Sequence, residues 1–419
     1  MRLSVILKGI KNSSYLTLSN VYVQGITAIS FLIIPGLLGP TQYGEYIIAL
    51  TYASFFDIFT SVGLNKVAIR EGCLDRDNVV NVFQSLDSLK LFLLLCGIAL
   101  TVISSLFSNY SNHIRVLIFI AGIDVFFTGL YRYRSSIFII FQDFKFVSIL
   151  NSVAKTLFYV MAIVWVINGG GVIGILFSLA ISAVIMVFLT EKVSLRYIKP
   201  ILISKPVFNW TIIKQTLVFS LIGFLSIAST KLTVLVLSSI TEPSEVGIFG
   251  LAQKIVEQGM ILIGILSSGF LPIFIDEYKN NNKNPLNLLY LAIIILFSGT
   301  LIVYILNFPI INLINLIYGD KFNASLEILN ILLYNLVFSF CLLPFSLLAQ
   351  ATFNEVMMLY AYLILSIFTV LSILLVYPAF GLKGVAYSNL ILNMALTFFL
   401  IITIFIKVYK KYFENTGNK

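Results

Sequence analysis

The chain has 419 residues, of which 59% are hydrophobic and only 11% charged, with a formal net charge of +9. Soluble domains carry about 25% charged residues, so the composition excludes an ordinary soluble enzyme and places the chain in a bilayer. Segments such as LLYLAIIILFSGTLIVYILNF at 288–308 have the roughly twenty-residue length of a membrane-crossing helix, without the short apolar/polar alternation of a porin-type barrel.

Twelve spans are expected. The first, at 14–38, follows a basic N-terminus and lacks a small-residue cleavage site, so it reads as a span and not as a removed signal. It carries Ser13, Thr17, Asn20, Gln24 and Thr27 at spacings of 4, 3, 4 and 3, a single helical face. It ends in the polar break LLGPTQYGEY at 37–46, where Pro and Gly close one helix and open the next. Spans two to six are expected at 43–65, 85–107, 114–138, 147–167 and 171–190, with the single histidine, His113, in the exposed loop before span four. A basic linker at 196–211 precedes spans seven to twelve at 212–239, 245–274, 286–307, 323–349, 355–377 and 381–406, and residues 407–419 form a basic tail. Cys73, Cys96 and Cys341 show no metal-ligand spacing and read as free thiols.

Twenty of the 27 cations fall on one side of this topology. They lie in the two termini, the central loop (Lys192, Arg196, Lys199, Lys205, Lys214), and the loops after spans two (Lys66, Arg70, Arg76), four (Arg132, Arg134, Lys145) and eight (Lys279, Lys283). Only Arg115, Lys321 and Lys383 fall opposite, so the positive-inside rule puts both termini in the cytoplasm. The basic charge is then a topology signal and a contact for anionic lipid, not a nucleic-acid surface.

A shift of 203 positions brings Pro40, Gly44 and Tyr46 onto Pro243, Gly247 and Phe249, and a shift of 210 brings Gly171, Gly174 and Ser178 onto Gly381, Gly384 and Ser388. The expected fold is therefore all-α and polytopic: an N-terminal bundle of six helices (1–195) and a C-terminal one (212–406), related by a pseudo-two-fold axis along the membrane normal. Transporters with internal repeats bind substrate near the midplane between the repeats and alternate access by rocking them.

Three stretches carry a resemblance to a known family: LLGPTQYGEYIIALTYASFFDIFTSVGLNKVAIRE, LINLIYGDKFNASLEILNILLYN and YPAFGLKGVAYSNLIL. They resemble the lipid-linked oligosaccharide flippases of bacterial polysaccharide biosynthesis, within the multidrug and oligosaccharidyl-lipid flippase superfamily. The resemblance implies an inner-membrane protein that moves undecaprenyl-diphosphate-linked glycan units, for O-antigen or capsule, from the cytoplasmic to the periplasmic leaflet. It also implies the pathway's polymerase and chain-length regulator as partners.

Ionisable residues inside spans cost about 2.5–3.5 kcal/mol each, and their default reading is a lined pathway. Lys254 and Glu257 share a face of span eight, where Lys254 could meet a diphosphate and Glu257 hold it between substrates; the alternative is a neutralising pair that only stabilises the helix. Lys231 in span seven has no local acid, so either a substrate or a facing helix satisfies it, or it reaches the interface. Lys155 in span five suits a cationic lumen or an ion pair with Asp124 of span four. Asp57 in span two is a candidate for proton or sodium coupling, or a helix-end acid paired with Lys66 or Arg70. Asp87 and Lys90 stand near the start of span three and read as interfacial.

The polar face of span one, Thr17, Asn20, Gln24 and Thr27, would line an aqueous cavity or make interhelical hydrogen bonds; Ser220, Gly223, Ser226, Thr230 and Thr233 continue the same pattern in span seven. No phosphate-binding loop, nucleophile elbow or Cys/His cluster occurs, so no cofactor, metal or catalytic residue is expected. Two other readings are a cation-coupled multidrug exporter, which would favour carboxylates over lysines in its cavity, and a membrane-embedded glycan polymerase or acyltransferase, which would need catalytic residues in a sizeable outer loop.

Overall fold

The computed structural model describes residues 3–59, 62–77, 79–197, 231–279, 297, 299–301, 303–304, 312, 314–351 and 355–416. Every regular element among them is helical. In chain order these are α1 (Leu3–Phe55), a 3-10 turn (Phe56–Phe59), α2 (Val62–Leu74), α3 (Val79–Leu106), α4 (Asn112–Ile140), α5 (Phe144–Ile167) and α6 (Gly171–Ser194). They continue as α7 (Lys231–Ile240), α8 (Pro243–Lys279), a second 3-10 turn (Gly319–Phe322), α9 (Asn323–Ala351) and α10 (Glu355–Thr416). Eight helices among the described residues are long and apolar enough to cross a membrane.

Two of those helices are bent into two arms. Gly39 (φ 73°, ψ 173°) breaks α1 and Gly381 (φ 59°, ψ −154°) breaks α10. Both adopt a backbone region that only glycine occupies readily. A Cβ at either position would meet nothing within 4 Å, so backbone conformation and not space demands glycine there. The break at Gly39 falls inside the polar stretch at 37–46, and Pro40 opens the second arm as Pro243 opens α8. Proline suits that first helical position because its missing N–H would have had no partner there. The matched pair Gly171 and Gly381 also both take positive φ, 52° and 59°.

The chain divides into two compact units, Met1–Lys231 with Ser238–Val246, and Leu232–Leu237 with Gly247–Lys419. In the first, α4 is central and packs against α1, α2, α3 and α6, while α5 lies against α1 and α6. Leu64 and Ala68 of α2, Phe83 and Leu86 of α3, and Tyr133 and Ile137 of α4 form one apolar core of this unit. Small hydroxyl residues bring α1 onto α5: Ser19 Oγ donates to the Ser148 carbonyl at 2.9 Å and lies 3.0 Å from Ser152 Oγ. In apolar surroundings such side chains supply close approach and interhelical hydrogen bonds. Tyr197 closes the far end, donating to Asp143 Oδ2 at 2.6 Å and packing on Phe138, Phe141 and Phe146. In the second unit α9 packs against α10, and Ser325 Oγ donates to the Ile248 carbonyl of α8 at 2.8 Å.

The expected linker beyond Tyr197, most of span nine, and Ser220, Gly223, Ser226 and Thr230 lie outside the described residues. The charges expected in loops are placed differently. Arg132 and Arg134 sit within α4, and Lys66 and Arg70 within α2. Arg132 and Arg134 lie near the C-terminal end of α4, and α2 is a separate helix after the 3-10 turn that interrupts the expected span two at 43–65.

Candidate functional site: a charged cluster around α4

Helix α4 presents Asp124, Thr128 and Arg132 at spacings of four, one face of a helix. Thr128 Oγ1 donates to Asp124 Oδ1 at 3.1 Å, and Arg132 Nη1 donates to Asp57 Oδ2, on the first 3-10 turn, at 3.0 Å. Lys155 of α5 acts electrostatically on Asp124, as do Arg132 and Asp57. At 1.5 Å per residue, Arg132 lies about 12 Å from the end of α4 at Ile140, and Lys155 about 16 Å into α5. Lys155 is exposed and the Arg132 side chain is 49% exposed, whereas that of Asp57 is 15% exposed. Two cations therefore face open space, each backed by a carboxylate that is largely covered.

A second layer joins α3, α4 and α6, and all of it but Glu191, whose side chain is 40% exposed, is buried. Arg134 Nη2 donates to Asp87 Oδ2 of α3 at 2.9 Å, and its Nε lies 2.6 Å from Glu191 Oε1 of α6 without pointing its N–H at that oxygen. Arg134 Nη1 has no hydrogen-bond partner among the described residues. Lys90 of α3 is 1% exposed; its Nζ reaches Asn65 Oδ1 of α2 at 3.5 Å and stands 5.5 Å from the centre of the Tyr133 ring. Its charge is attracted by Asp57 and repelled by Arg132, which ties the buried layer to the open one. The cluster thus holds four cations (Lys90, Arg132, Arg134, Lys155) and four carboxylates (Asp57, Asp87, Asp124, Glu191), formally neutral as a whole.

The energetics of the two layers differ. A half-exposed pair such as Arg132–Asp57 contributes about 0–1 kcal/mol, because water competes for both charges. Removing one partner of a buried pair such as Arg134–Asp87 costs about 3–5 kcal/mol, because the remaining charge cannot reach water. Losing one partner in the buried layer is therefore costly, whereas the open layer can exchange partners at small cost.

The expected site residues fall in several places. Asp57 pairs with Arg132, a partner 75 residues away that local sequence reading did not consider, while Arg70 binds its neighbour Glu71. Asp124 and Lys155 are brought together. Lys254 Nζ lies 2.6 Å from Glu257 Oε2, so this i,i+3 pair is formed, with both side chains partly exposed. Lys231 lies in α7 and is half-buried.

Along span one the side chain of Ser13 lies outside the described set; Thr17 and Asn20 are exposed, Gln24 and Thr27 half-buried. The face of α1 that packs inward carries Ser19, Ser30 and Ile34 instead. Thr233 of α7, by contrast, is buried and accepts from Asn389 Nδ2 of α10 at 3.3 Å.

Asp87 and Lys90 need a correction. Placed near the interface by their distance from the start of span three, they are among the most buried polar residues of the chain, 2% and 1% exposed. Helix α3 begins six residues earlier than expected, at Val79, and packs that whole turn against α2 and α4. Arg132 and Arg134 were also missed as site residues. The signal was available: YRYR at 131–134, Asp87 and Lys90 one turn apart, and Glu191 near the end of a third span. Opposite charges near the ends of three spans are candidates to meet.

A bundle of apolar helices that encloses a neutralised set of charges is a multi-pass membrane protein with a polar site inside its protein core. The chain belongs to the polysaccharide biosynthesis protein family, whose match covers residues 10–276. Its fold is that of the multidrug and oligosaccharidyl-lipid flippase superfamily. It resembles the lipid II flippase MurJ in an inward closed conformation, with 16% identity, 96% of this chain and 90% of that one covered, and a TM-score of 0.70. An inward-facing multidrug resistance MATE family transporter gives 18% identity, 92% and 95% coverage and the same TM-score. A superfamily transporter from Pyrococcus furiosus, described as having a binding pocket of reverse polarity, gives 19% identity, 96% and 94% coverage and a TM-score of 0.56. No curated protein sequence matches the chain.

Proposed function

We propose that the protein is a flippase for a polyprenyl-diphosphate-linked oligosaccharide, moving the repeat unit of a surface polysaccharide from the cytoplasmic to the periplasmic leaflet by alternating access. The observation that carries this reading is the open pair of cations, Arg132 and Lys155, around Asp124 in a member of a polysaccharide biosynthesis family. The diphosphate is the part of such a lipid that hydrocarbon rejects most strongly, and two cations at this depth offset that cost. The polar face of Thr17 and Asn20, which are exposed, and Gln24 and Thr27, which are half-buried, offers hydrogen bonds to sugar hydroxyls, and the polyprenyl chain stays in lipid. From the sequence, Lys254, Lys231, Glu257 and Thr230 are further candidates for contact with the substrate, and Asp57 and Asp124 balance the charge when substrate is absent. The site lies in a bacterial inner membrane with both termini in the cytoplasm.

The test is transport of a fluorescent lipid-linked oligosaccharide in proteoliposomes. Arg132→Ala and Lys155→Ala are each expected to lower the rate at least about tenfold, since a charge-assisted hydrogen bond contributes roughly 1.5–3 kcal/mol. Wild-type rates in both variants would remove the assignment. The carboxylates favour a second reading, an exporter of cationic drugs. It requires that loss of the gene sensitise cells to such drugs while surface glycan stays normal.

A further inference from the structure

Helix α4 carries one more polar residue on the face of its open layer. Tyr131 follows Asp124 and Thr128 at spacings of four and three, so the three share one side of the helix. It is 7% exposed, and its hydroxyl donates to Asn151 Oδ1 of α5 at 2.6 Å. Asn151 is half-buried and stands four residues before Lys155, on the same face of α5 and about 6 Å nearer the start of that helix. The exposed apolar residues Ile149, Val160, Val164 and Ile167 fall on the opposite side of α5 at about 3.6 residues per turn. Asn151 and Lys155 therefore both face away from the apolar outer surface of α5.

The Asn151 carboxamide is engaged at one end only. Its oxygen is held by Tyr131, whereas its nitrogen makes no hydrogen bond among the described residues and is not sealed inside the protein. A primary amide nitrogen has two N–H donors and an ammonium has three. Asn151 and Lys155 thus offer donors one turn apart, with the asparagine's acceptor already in use. Such a pair suits a group made of acceptors, the oxygens of a diphosphate; a sugar hydroxyl also donates and would need an acceptor beside it.

We infer that Asn151 is a further binding residue of the anion site, donating from Nδ2 to a diphosphate oxygen beside the one that Lys155 meets, and that Tyr131 is the positioning residue that keeps the amide nitrogen aimed there. The inference rests on the reading of Lys155 given above. An unrestrained amide can turn over and present its oxygen, which would repel a phosphate. The largely covered Tyr131 hydroxyl needs an acceptor for its proton, and Asn151 Oδ1 supplies one only while Nδ2 points the other way. A neutral donor to a charged oxygen makes a charge-assisted hydrogen bond, and it leaves no extra charge to be balanced when the site is empty.

The experiment measures binding of geranylgeranyl diphosphate, which carries no sugar, and of inorganic diphosphate to the full-length protein in nanodiscs. Asn151→Leu keeps the size of the side chain, removes both donors and adds no charge. It is expected to lose at least about tenfold in affinity for both probes. Tyr131→Phe leaves the donors but releases their aim, and is expected to lose only a few-fold. The double variant is expected to match Asn151→Leu, because aim has no value once the donors are gone. A role confined to packing α4 on α5 predicts instead that Tyr131→Phe, which breaks the same bond, loses as much as Asn151→Leu, and that result overturns the inference. Losses that multiply in the double variant overturn the positioning role of Tyr131. Wild-type affinity for either probe in Asn151→Leu, with at least about a tenfold loss in Lys155→Ala, overturns the binding role of Asn151 and leaves the anion site intact. Wild-type affinity in Lys155→Ala removes that lysine from the anion site, and the inference falls with it. If Asn151→Leu does not reach the membrane folded, Asn151→Ala is judged by the same comparisons.

Discussion

In the first unit, eight ionisable side chains from five elements gather around α4, and three of them, Asp87, Lys90 and Arg134, are less than a tenth exposed. In the second, the described ion pairs are local or superficial: Lys254–Glu257 within one turn of α8, and Lys383–Glu327 with side chains 60% and 58% exposed. Its long-range polar contacts among described residues are neutral, as in Thr233–Asn389 and Ser325 to the Ile248 carbonyl. Yet the two halves share their turns, with Pro40 and Pro243 opening helices and Gly171 and Gly381 at positive φ. Breaks of this kind are needed wherever one helix ends and the next begins. Charges are not needed for that, so among the described residues they can concentrate in the first unit.

The comparison can be broken first at Arg134. Arg134→Met leaves Asp87 charged and unable to reach water, and is expected to destabilise the protein by about 3–5 kcal/mol. Thermal unfolding in detergent would show this as a large fall in midpoint, largely reversed when Asp87→Leu is added. No fall would mean that the buried layer does not hold the bundle. Next come the shared breaks. Gly171→Ala and Gly381→Ala each force a side chain into a positive-φ conformation and are expected to cost about 1–3 kcal/mol. Similar losses in the two variants would support equivalent roles in the two units, and a loss in only one would separate them.

Smaller effects sharpen the contrast from the other side. Asn389→Leu removes a neutral interhelical hydrogen bond and is expected to cost about 0.6 kcal/mol, well below Arg134→Met in the same assay. Lys254→Ala breaks a pair within one helix that contributes about 0.2–0.5 kcal/mol, so unfolding should hardly register it. Its value lies in transport: lost surface glycan with an undisturbed fold would extend the anion path into the second unit, and normal glycan would confine it to the first.

Much of the fold is legible in the sequence. The ends of α4, α5 and α6 fall within a few residues of the expected spans, and Gly39 and Gly381 mark two of the turns. Less of the site is legible. Lys155 with Asp124, and Lys254 with Glu257, were accessible because one pair joins neighbouring spans and the other shares a helix. Arg132–Asp57 and Arg134–Asp87 join residues 75 and 47 positions apart, and proximity to a span end made three of those four look like interfacial charges.

What the sequence by itself determined is everything that depends on length and local chemistry: a membrane location, apolar helices of crossing length, breaks where glycine or proline stands, and a polar face along span one. Those properties follow from the cost of placing unsatisfied backbone and charge in hydrocarbon, which each segment meets on its own. Only the tertiary structure decided which charges are buried and which stay open. A charge within a span is stable when a partner on another helix stands at the same depth, and that depends on how α3, α4 and α6 pack, not on any stretch of sequence read alone.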